Sequence, residues 1–479
     1  MKNREHKAKG VDSRKLALEI LLRTNEEKNY VQSVLSASLK ESKLSSRDKA
    51  FVTYLVQGVL RNLSVLDKTI KAHSHRPLEK MTSVLLNVLR LGTFQLLFME
   101  DMPASAVLST STSVARLCGH SGLSSFTQAV LRNILRNLEK IKDEQGLRQD
   151  NDSGDKAFMS KDPEELSDHY SMPLWIVQRW LCSYGLEITN SLLAYSQSSP
   201  KQCLRVNENA VEVKAVLSIL ERAGLEVEAS NVVPSCVRIL SKGKHKGPLE
   251  KLPGYSEGLF SIQDEASQLV SYAVGARSGD LVIDLCAAPG GKTLHMSEMM
   301  QNKGKILAVD KSEQRLSVLK SNRQRLSITN VEVIEGDGRN LSLDTKADRV
   351  LVDAPCSGTG VLNRRSDLRY HRREEDIKSL CDLQLELLNN ASTLVKPGGI
   401  LVYSTCSVEK EENEQIIDKF LAQNSEFEFS SLTDIVKAFK NPPFDLDFES
   451  GKIQLLPTMQ GFSGFFLARL KRKDQVSSP

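Results

Sequence analysis

The chain of 479 residues has no apolar run approaching transmembrane length, no fixed-period repeat and no CxxC or HxxxH pair. These absences argue against a membrane span, a solenoid and a structural zinc site, which usually brings two ligands onto one short turn. Nor does an apolar h-region follow the charged opening MKNREHKAKG, so no secretory signal is expected. The eight cysteines, at 118, 182, 203, 236, 286, 356, 381 and 406, never come closer than 21 residues. Small secreted domains crowd their cysteines, so reduced thiols, a cytoplasmic location and no metal are expected. Aromatic residues reach only 5% and the net charge only +4, from 64 Lys plus Arg against 60 Asp plus Glu. So small a charge names no partner by itself. What is present is 40% hydrophobic residues, which excludes a disordered or collagen-like chain. At roughly 100 to 200 residues per domain, the length suggests two to four domains.

Resolved by position, the charge becomes informative. Residues 1–140 hold 22 basic against 12 acidic residues, a net of +10, and the remaining 339 residues net −6. In the basic part apolar residues recur at helical spacing, as in Phe51, Leu55, Val56, Val59 and Leu60, entered through a Ser45 to Asp48 capping pattern. Further helices are expected near 12–23, 82–99 and 124–140, with Pro103 and Gly122 as boundaries, so residues 1–140 read as an all-α bundle. Arg132 and Arg136 share a face of the last helix. A lone pair of arginines is ordinary solvated surface, but +10 over 140 residues favours a polyanion, because Lys and Arg contacts to phosphate dominate nucleic-acid affinity.

Residues 141–170 are polar and acidic, the composition of a linker. From 171 to 265 strand-like QCLRVNEN, the amphipathic VKAVLSILERAG closed by Gly224, and the short strands of LEVEASNVVPSCVRIL predict a small α+β module, ferredoxin-like in plan. Lys242, Lys244, His245 and Lys246 read as an exposed loop. From 266 to 471 strands and helices alternate: LVIDLC, a helix after Gly291, KILAVD, a helix over 312–326, VEVIEG, DRVLVDAP, a helix near 374–395, and GILVYSTC. That alternation predicts βαβ units and a parallel sheet, with ligands at the carboxyl ends of the strands.

Those ends carry the chemistry. After Asp284 comes the small-residue turn Cys286, Ala287, Ala288, Pro289, Gly290, Gly291, Lys292, which opens a helix whose N-terminus suits an anionic group. Asp310 stands 19 residues beyond Gly291, close to the interval at which a carboxylate takes ribose hydroxyls. A P-loop needs glycine where Cys286 stands, and a dinucleotide loop needs GxGxxG, so both are disfavoured. An adenosine-bearing ligand with a small anionic end remains, such as S-adenosylmethionine, with Asp337 placed to accept from the adenine amino group. Asp353 to Gly358 and Ser404 to Ser407 follow the next two strands and bring Cys356 and Cys406 to the same rim. Cys118, Cys182, Cys203, Cys236 and Cys381 read instead as buried small hydrophobes.

The runs DLCAAPGGKT, DAPCSGTG and YSTCS followed by EENE resemble the RNA 5-methylcytosine methyltransferases that use two cysteines and S-adenosylmethionine. The basic N-terminus with QAVLRNILR resembles the antitermination-factor-like, or NusB-like, domain that marks the bacterial 16S ribosomal RNA enzymes of that family. The resemblance implies three parts: a NusB-like all-α bundle, the small α+β module, and a C-terminal α/β Rossmann-like methyltransferase domain. It also implies S-adenosylmethionine as cofactor, 16S ribosomal RNA as partner, and a monomer. By resemblance Cys406 is the nucleophile, Cys356 assists release, and Asp353 contacts the base edge and borders the cofactor. Lys292 either favours the thiolate or meets the cofactor carboxylate. Transfer RNA or 23S ribosomal RNA, or a non-catalytic RNA-binding assembly or antitermination factor, stand as alternatives. The chain departs from the family at Ser463, before the final Gly-Phe-Phe, and at Ser366, Asp367 and Tyr370, where Pro-Asp and Trp are common.

Overall fold

A computed structural model describes residues 2–27, 31–119, 121–144, 158, 160–243, 245, 247–436, 446–457 and 462–474. It divides into two units: Met1–Ser199 with Leu362–His371, and Pro200–Val361 with Arg372–Pro479. Among the described residues no helix is long and apolar enough to cross a membrane.

The first unit is helical because its apolar residues repeat at three and four. Its helices are α1 (Lys2–Glu27), α2 (Val31–Glu41), α3 (Ser46–Arg61), α4 (Leu63–His73), α5 (Ser83–Phe98), α6 (Ala104–Leu117), α7 (Ser121–Arg136), α8 (Leu138–Glu144), α9 (Pro163–His169) and α10 (Leu174–Gln197). Ser45 caps α3 by accepting from the Asp48 amide, and Thr82 caps α5 in the same way through Leu85. α5 is apolar almost all round and buries Leu85, Val88, Leu89, Leu91, Phe94 and Leu97 in the core. Gly58 of α3 admits the Phe94 ring, since a Cβ there would lie 2.6 Å from Phe94 Cε1. The break between α6 and α7 falls at Cys118 and Gly119, and Gly122 sits in the first turn of α7.

The chain between 141 and 202 differs from the expected linker and module. Residues 145–157 and 159 lie outside the described residues, but α9 forms within the segment expected to be linker, started by Asp162 as cap and Pro163 in its first turn. α10 occupies the expected start of the α+β module, burying Ile176, Val177, Trp180, Leu192 and Leu193, with Gly185 at φ 73° breaking its axis. Both helices belong to the first unit.

The second unit opens with β1 (Gln202–Val206), α11 (Val213–Arg222), β2 (Glu226–Ala229), β3 (Cys236–Ser241) and β4 (Phe260–Ile262). These strands form an antiparallel sheet in the order β2-β3-β1-β4, and Gly224 (φ 85°) turns the chain from α11 into β2. α12 (Glu265–Val274), capped by Asp264, leads to β5 (Leu281–Asp284), α13 (Gly291–Met299), β6 (Lys305–Asp310), α14 (Glu313–Arg325), β7 (Val331–Glu335) and β8 (Ala347–Asp353). At Leu362 the chain enters the first unit, where α15 (Leu368–His371) lies, and it leaves at Arg372.

Then come α16 (Glu374–Leu394), β9 (Val395–Thr405), α17 (Glu414–Gln423), β10 (Phe427–Phe429), α18 (Thr433–Val436), β11 (Lys452–Leu455) and β12 (Phe465–Arg472). The large sheet runs β10-β12-β9-β8-β5-β6-β7, with β11 also on β12. β9, β8, β5, β6 and β7 are parallel, whereas β12 runs antiparallel to β9. The chain direction across the sheet reverses between β5 and β8, and a crevice at their carboxyl ends is where such folds take ligands.

Candidate active site

Asp284 ends β5 with its side chain buried, accepting from Thr293 Oγ1 (2.7 Å) and the Cys286 amide (3.4 Å). Burial pushes its carboxyl up to about 7 against the Thr293 hydrogen bond. The turn Cys286 to Gly290 is fixed from both neighbouring strands, Leu285 N–H donating to Leu351 O and Ala287 N–H to Val309 O. The Ala288–Pro289 bond is cis. Gly290 has φ 103°, and a Cβ there would sit 2.7 Å from Leu319 Cγ, so only glycine fits before α13. Burial first, then Asp284, Asp353 and Asp310, push the Cys286 thiol well up, so it stays protonated.

Asp310, at the end of β6, accepts from the Ala288 amide (3.1 Å) and the Ser312 amide (3.0 Å) and pairs with half-exposed Arg315 at 3.2 Å. Asp337, beyond β7, pairs with Arg339 at 2.7 Å, and that hydrogen bond pulls its carboxyl down to about 2. Two carboxylates thus stand at successive strand ends beside a glycine-backed helix start. Acceptors so placed fit the hydroxyls and amino group of an adenosine-bearing ligand.

Asp353, at the end of β8, accepts from Lys292 Nζ (2.6 Å) and Ser404 Oγ (2.8 Å). Lys292 therefore meets a carboxylate of the chain itself, a partner not foreseen among its expected roles, and also lies 5.1 Å from the Phe465 ring centre. Cys356 and Cys406 come together with sulfurs 3.3 Å apart. The hydrogen bond to Cys406, then burial, push the Cys356 thiol well above its ordinary value. Arg372 donates to the carbonyls of Cys356 (3.0 Å) and Ser357 (3.3 Å), and Gly360 N–H to the Cys406 carbonyl (3.0 Å). Behind Gly360, the Gly464 amide donates to the Gly360 carbonyl (2.8 Å), so close that a Cβ on Gly464 would lie 2.6 Å from Gly360 Cα.

Two groups that carry this geometry escaped the sequence reading. Glu412, in the EENE run, is fully buried against the residues that follow both cysteines. Arg205 of β1, 1% exposed, donates to the Gly291 carbonyl (2.7 Å) and forms a bidentate pair with Glu298 (2.8 and 3.0 Å), tying the small sheet to the start of α13. Ser407 lies only five residues from Glu412, but the other partners of Glu412, Ser357 and Gln384, lie 55 and 28 residues away and Glu298 lies 93 from Arg205, so spacing alone marks neither group.

The departures acquire structural reasons. Ser463 donates to Asp264 Oδ2 (2.9 Å), the cap of α12. In the first unit Ser366 donates to Gln57 (2.7 Å), Asp367 accepts from the Val31 amide (3.2 Å), and Tyr370 donates to the Ser171 carbonyl (2.9 Å). Buried Arg369 beside them donates to the carbonyls of Arg61, Tyr170, Ser171 and Ser196. Arg132 and Arg136 are exposed. Of the five cysteines expected to be buried, Cys203, Cys236 and Cys381 are, Cys118 is partly so, and Cys182 is exposed on α10. Cys203, Cys236 and Glu265 cluster within 4.8 Å, but Arg238 and Ser230 already hold Glu265. Lys244 and Lys246 lie outside the described residues.

Residues 271–471 match the 16S rRNA methyltransferase RsmB/F family, 11–136 the NusB family, and 172–245 the ferredoxin-like domain of RsmF/B-like methyltransferases. A probable ribosomal RNA small subunit methyltransferase B of Bacillus subtilis is 32% identical over 96% of this chain and 98% of its own length. The chain belongs to the RsmB/F methyltransferase family. Ribosomal RNA small subunit methyltransferase B of Klebsiella pneumoniae is likewise 32% identical, over 97% and 99%. Among solved structures, PH0851 superposes with a TM-score of 0.78 at 28% identity, covering 97% of this chain and 98% of that one. A methyltransferase homolog protein of Pyrococcus horikoshii gives 0.56 at 28%, covering 66% and 100%. The matches bear out a NusB-like helical region, a small sheet module and a Rossmann-like methyltransferase domain.

Proposed function

We propose that the chain methylates carbon 5 of a cytosine in 16S ribosomal RNA through a covalent cysteine–cytosine intermediate. The observation that carries the reading is the 3.3 Å pair of Cys356 and Cys406 on the rim shared with the glycine-backed helix start. The two relatives named for the ribosomal small subunit support the choice of RNA.

Bound S-adenosylmethionine supplies an electrophilic methyl group. The turn from Cys286 to Lys292 and the carboxylates Asp310, Asp337 and Asp353 would hold it, with the ribose replacing Arg315 at Asp310. Carbon 5 of cytosine is too poor a nucleophile to take that methyl unaided. The Cys406 thiolate adds to carbon 6, and the displaced π pair makes carbon 5 an enamine carbon. Asp353, held by Lys292 and Ser404, faces the N3 and exocyclic amine edge as charge develops there. After methyl transfer the carbon 5 proton leaves, the carbon 6–sulfur bond breaks, and the double bond returns, a release that Cys356 assists. The target must be single-stranded or flipped out of its stack. In this reading residues 1–140 supply phosphate contacts, α9 and α10 complete the helical unit as far as Ser199, residues 200–265 brace the cofactor turn through Arg205, and 266–471, apart from Leu362–His371, hold the chemistry.

Incubation of labelled 16S RNA and cofactor with Cys356→Ala should leave a covalent protein–RNA adduct on a denaturing gel, while Cys406→Ala neither methylates nor crosslinks. Normal methylation by Cys406→Ala would remove its role. Bisulfite mapping of RNA from cells with and without the protein locates the cytosine; no difference in 16S RNA would redirect the substrate.

A further inference from the structure

Glu412 lies in the turn before α17 with its side chain fully buried. One carboxylate oxygen accepts from the Ser357 amide (2.8 Å) and Gln384 Nε2 (3.0 Å), and the other from the hydroxyls of Ser357 (2.5 Å) and Ser407 (2.6 Å). Four neutral donors converge on it, the pattern of an ionised carboxylate whose desolvation is met by hydrogen bonds. Ser357 directly follows Cys356, and Ser407 directly follows Cys406. Gln384 also donates to the carbonyl of Pro355, the residue before Cys356 (3.0 Å). The Glu412 backbone carbonyl is itself held by buried Tyr403 Oη at 2.7 Å.

The two serine hydroxyls lie 3.0 Å apart, and Thr359 Oγ1 is within 3.3 Å of both. The chain thus ties two loops, 50 residues apart in sequence, through a single acidic side chain directly behind the sulfurs. A buried negative charge there also opposes ionisation of Cys356. A group that only had to favour thiolate would carry the opposite sign, so its contribution lies in geometry.

We infer that Glu412 is a positioning residue that sets the separation of Cys356 and Cys406 through Ser357 and Ser407. The inference rests on the reading that these thiols carry covalent chemistry. Its test also includes a reaction that needs no RNA. Diamide removes one hydrogen from each of two thiols, leaving a disulfide and the reduced hydrazine, so the rate of Cys356–Cys406 joining reports their alignment.

The full-length protein is compared with Glu412→Gln, which keeps the volume but turns two acceptor sites into donors. Ser407→Ala, which removes one hydroxyl, carries the test if the first variant does not fold. Methyl transfer is measured together with diamide joining, followed as the cross-linked peptide by mass spectrometry. The expected result is a kcat lower by about 10- to 100-fold and joining slower by about tenfold, with KM for S-adenosylmethionine within about twofold and the melting temperature little changed. An unchanged joining rate overturns the inference, whatever happens to kcat. So does a loss of kcat matched by a raised KM and a lowered melting temperature, which marks a general structural role. If the wild type methylates no RNA while the variants still slow joining, the positioning stands and the covalent reading falls.

Discussion

Lys292 Nζ stands 2.6 Å from Asp353 Oδ2, joining the first turn of α13 to the end of β8. The pair couples the turn proposed to hold the cofactor to the carboxylate proposed to face the base, and both side chains are largely withdrawn from water. The two residues therefore act as one unit.

Replacing Lys292 by Met should lower kcat/KM by about 10- to 100-fold, because Asp353 loses the donor that orients it. Asp353→Asn should do similar harm. The double variant should be little worse than the poorer single variant, since each removes the same interaction. A double-mutant cycle of methyl transfer checks this, and additive losses would show that the two work separately.

Asp284 provides a pH signature. Its carboxyl, pushed up to about 7 in the fold against an ordinary 3.8, binds its proton more tightly folded than unfolded. Its contribution to stability is complete below about 3.8 and is lost as pH rises through about 7. Between pH 5 and 7 the loss amounts to about 2 kcal/mol. Asp284→Asn lacks that titration, so its melting temperature should gain on the wild type by several degrees across this range, measured without added cofactor. Parallel curves would refute the shift.

Exposed Arg132 and Arg136 on α7 offer a milder probe than removal of the basic region. The first unit runs to Ser199, so a cut at residue 140 would strip α9 and α10 of their partners. Arg132→Gln with Arg136→Gln should weaken RNA binding and flatten the slope of log K against log salt by about 0.7 to 0.9 for each phosphate no longer neutralised. Binding measured across a salt series decides it, and an unchanged slope would place the RNA elsewhere.

Local patterns and distant contacts were not equally legible. The alternation from LVIDLC to GILVYSTC was readable because a parallel sheet buried on both faces demands apolar strands between helices. Asp284, Asp310, Asp337 and Asp353 were readable for the same reason, each following such a strand. α10 carries helical spacing in Ile176, Val177 and Trp180 that the reading passed over, and Gly185 interrupts it midway. β10 and β11 are only three and four residues long, and the antiparallel closure of β12 on β9 depends on contacts no neighbouring residue announces. Glu412 and Arg205 were hidden because a buried charge declares itself only once its distant donors or acceptors are placed. Ser366, Asp367 and Tyr370, noted only as departures from the family, pack within the helical unit.

The backbone contact between Gly360 and Gly464 sets an order in time. Both thiols leave the ribosome well before the strand that backs their loops. A nascent chain halted at residue 460 would hold Cys356 and Cys406 but lack the Gly464 amide that fastens Gly360, so the loop behind the sulfurs is completed only by a segment made after both.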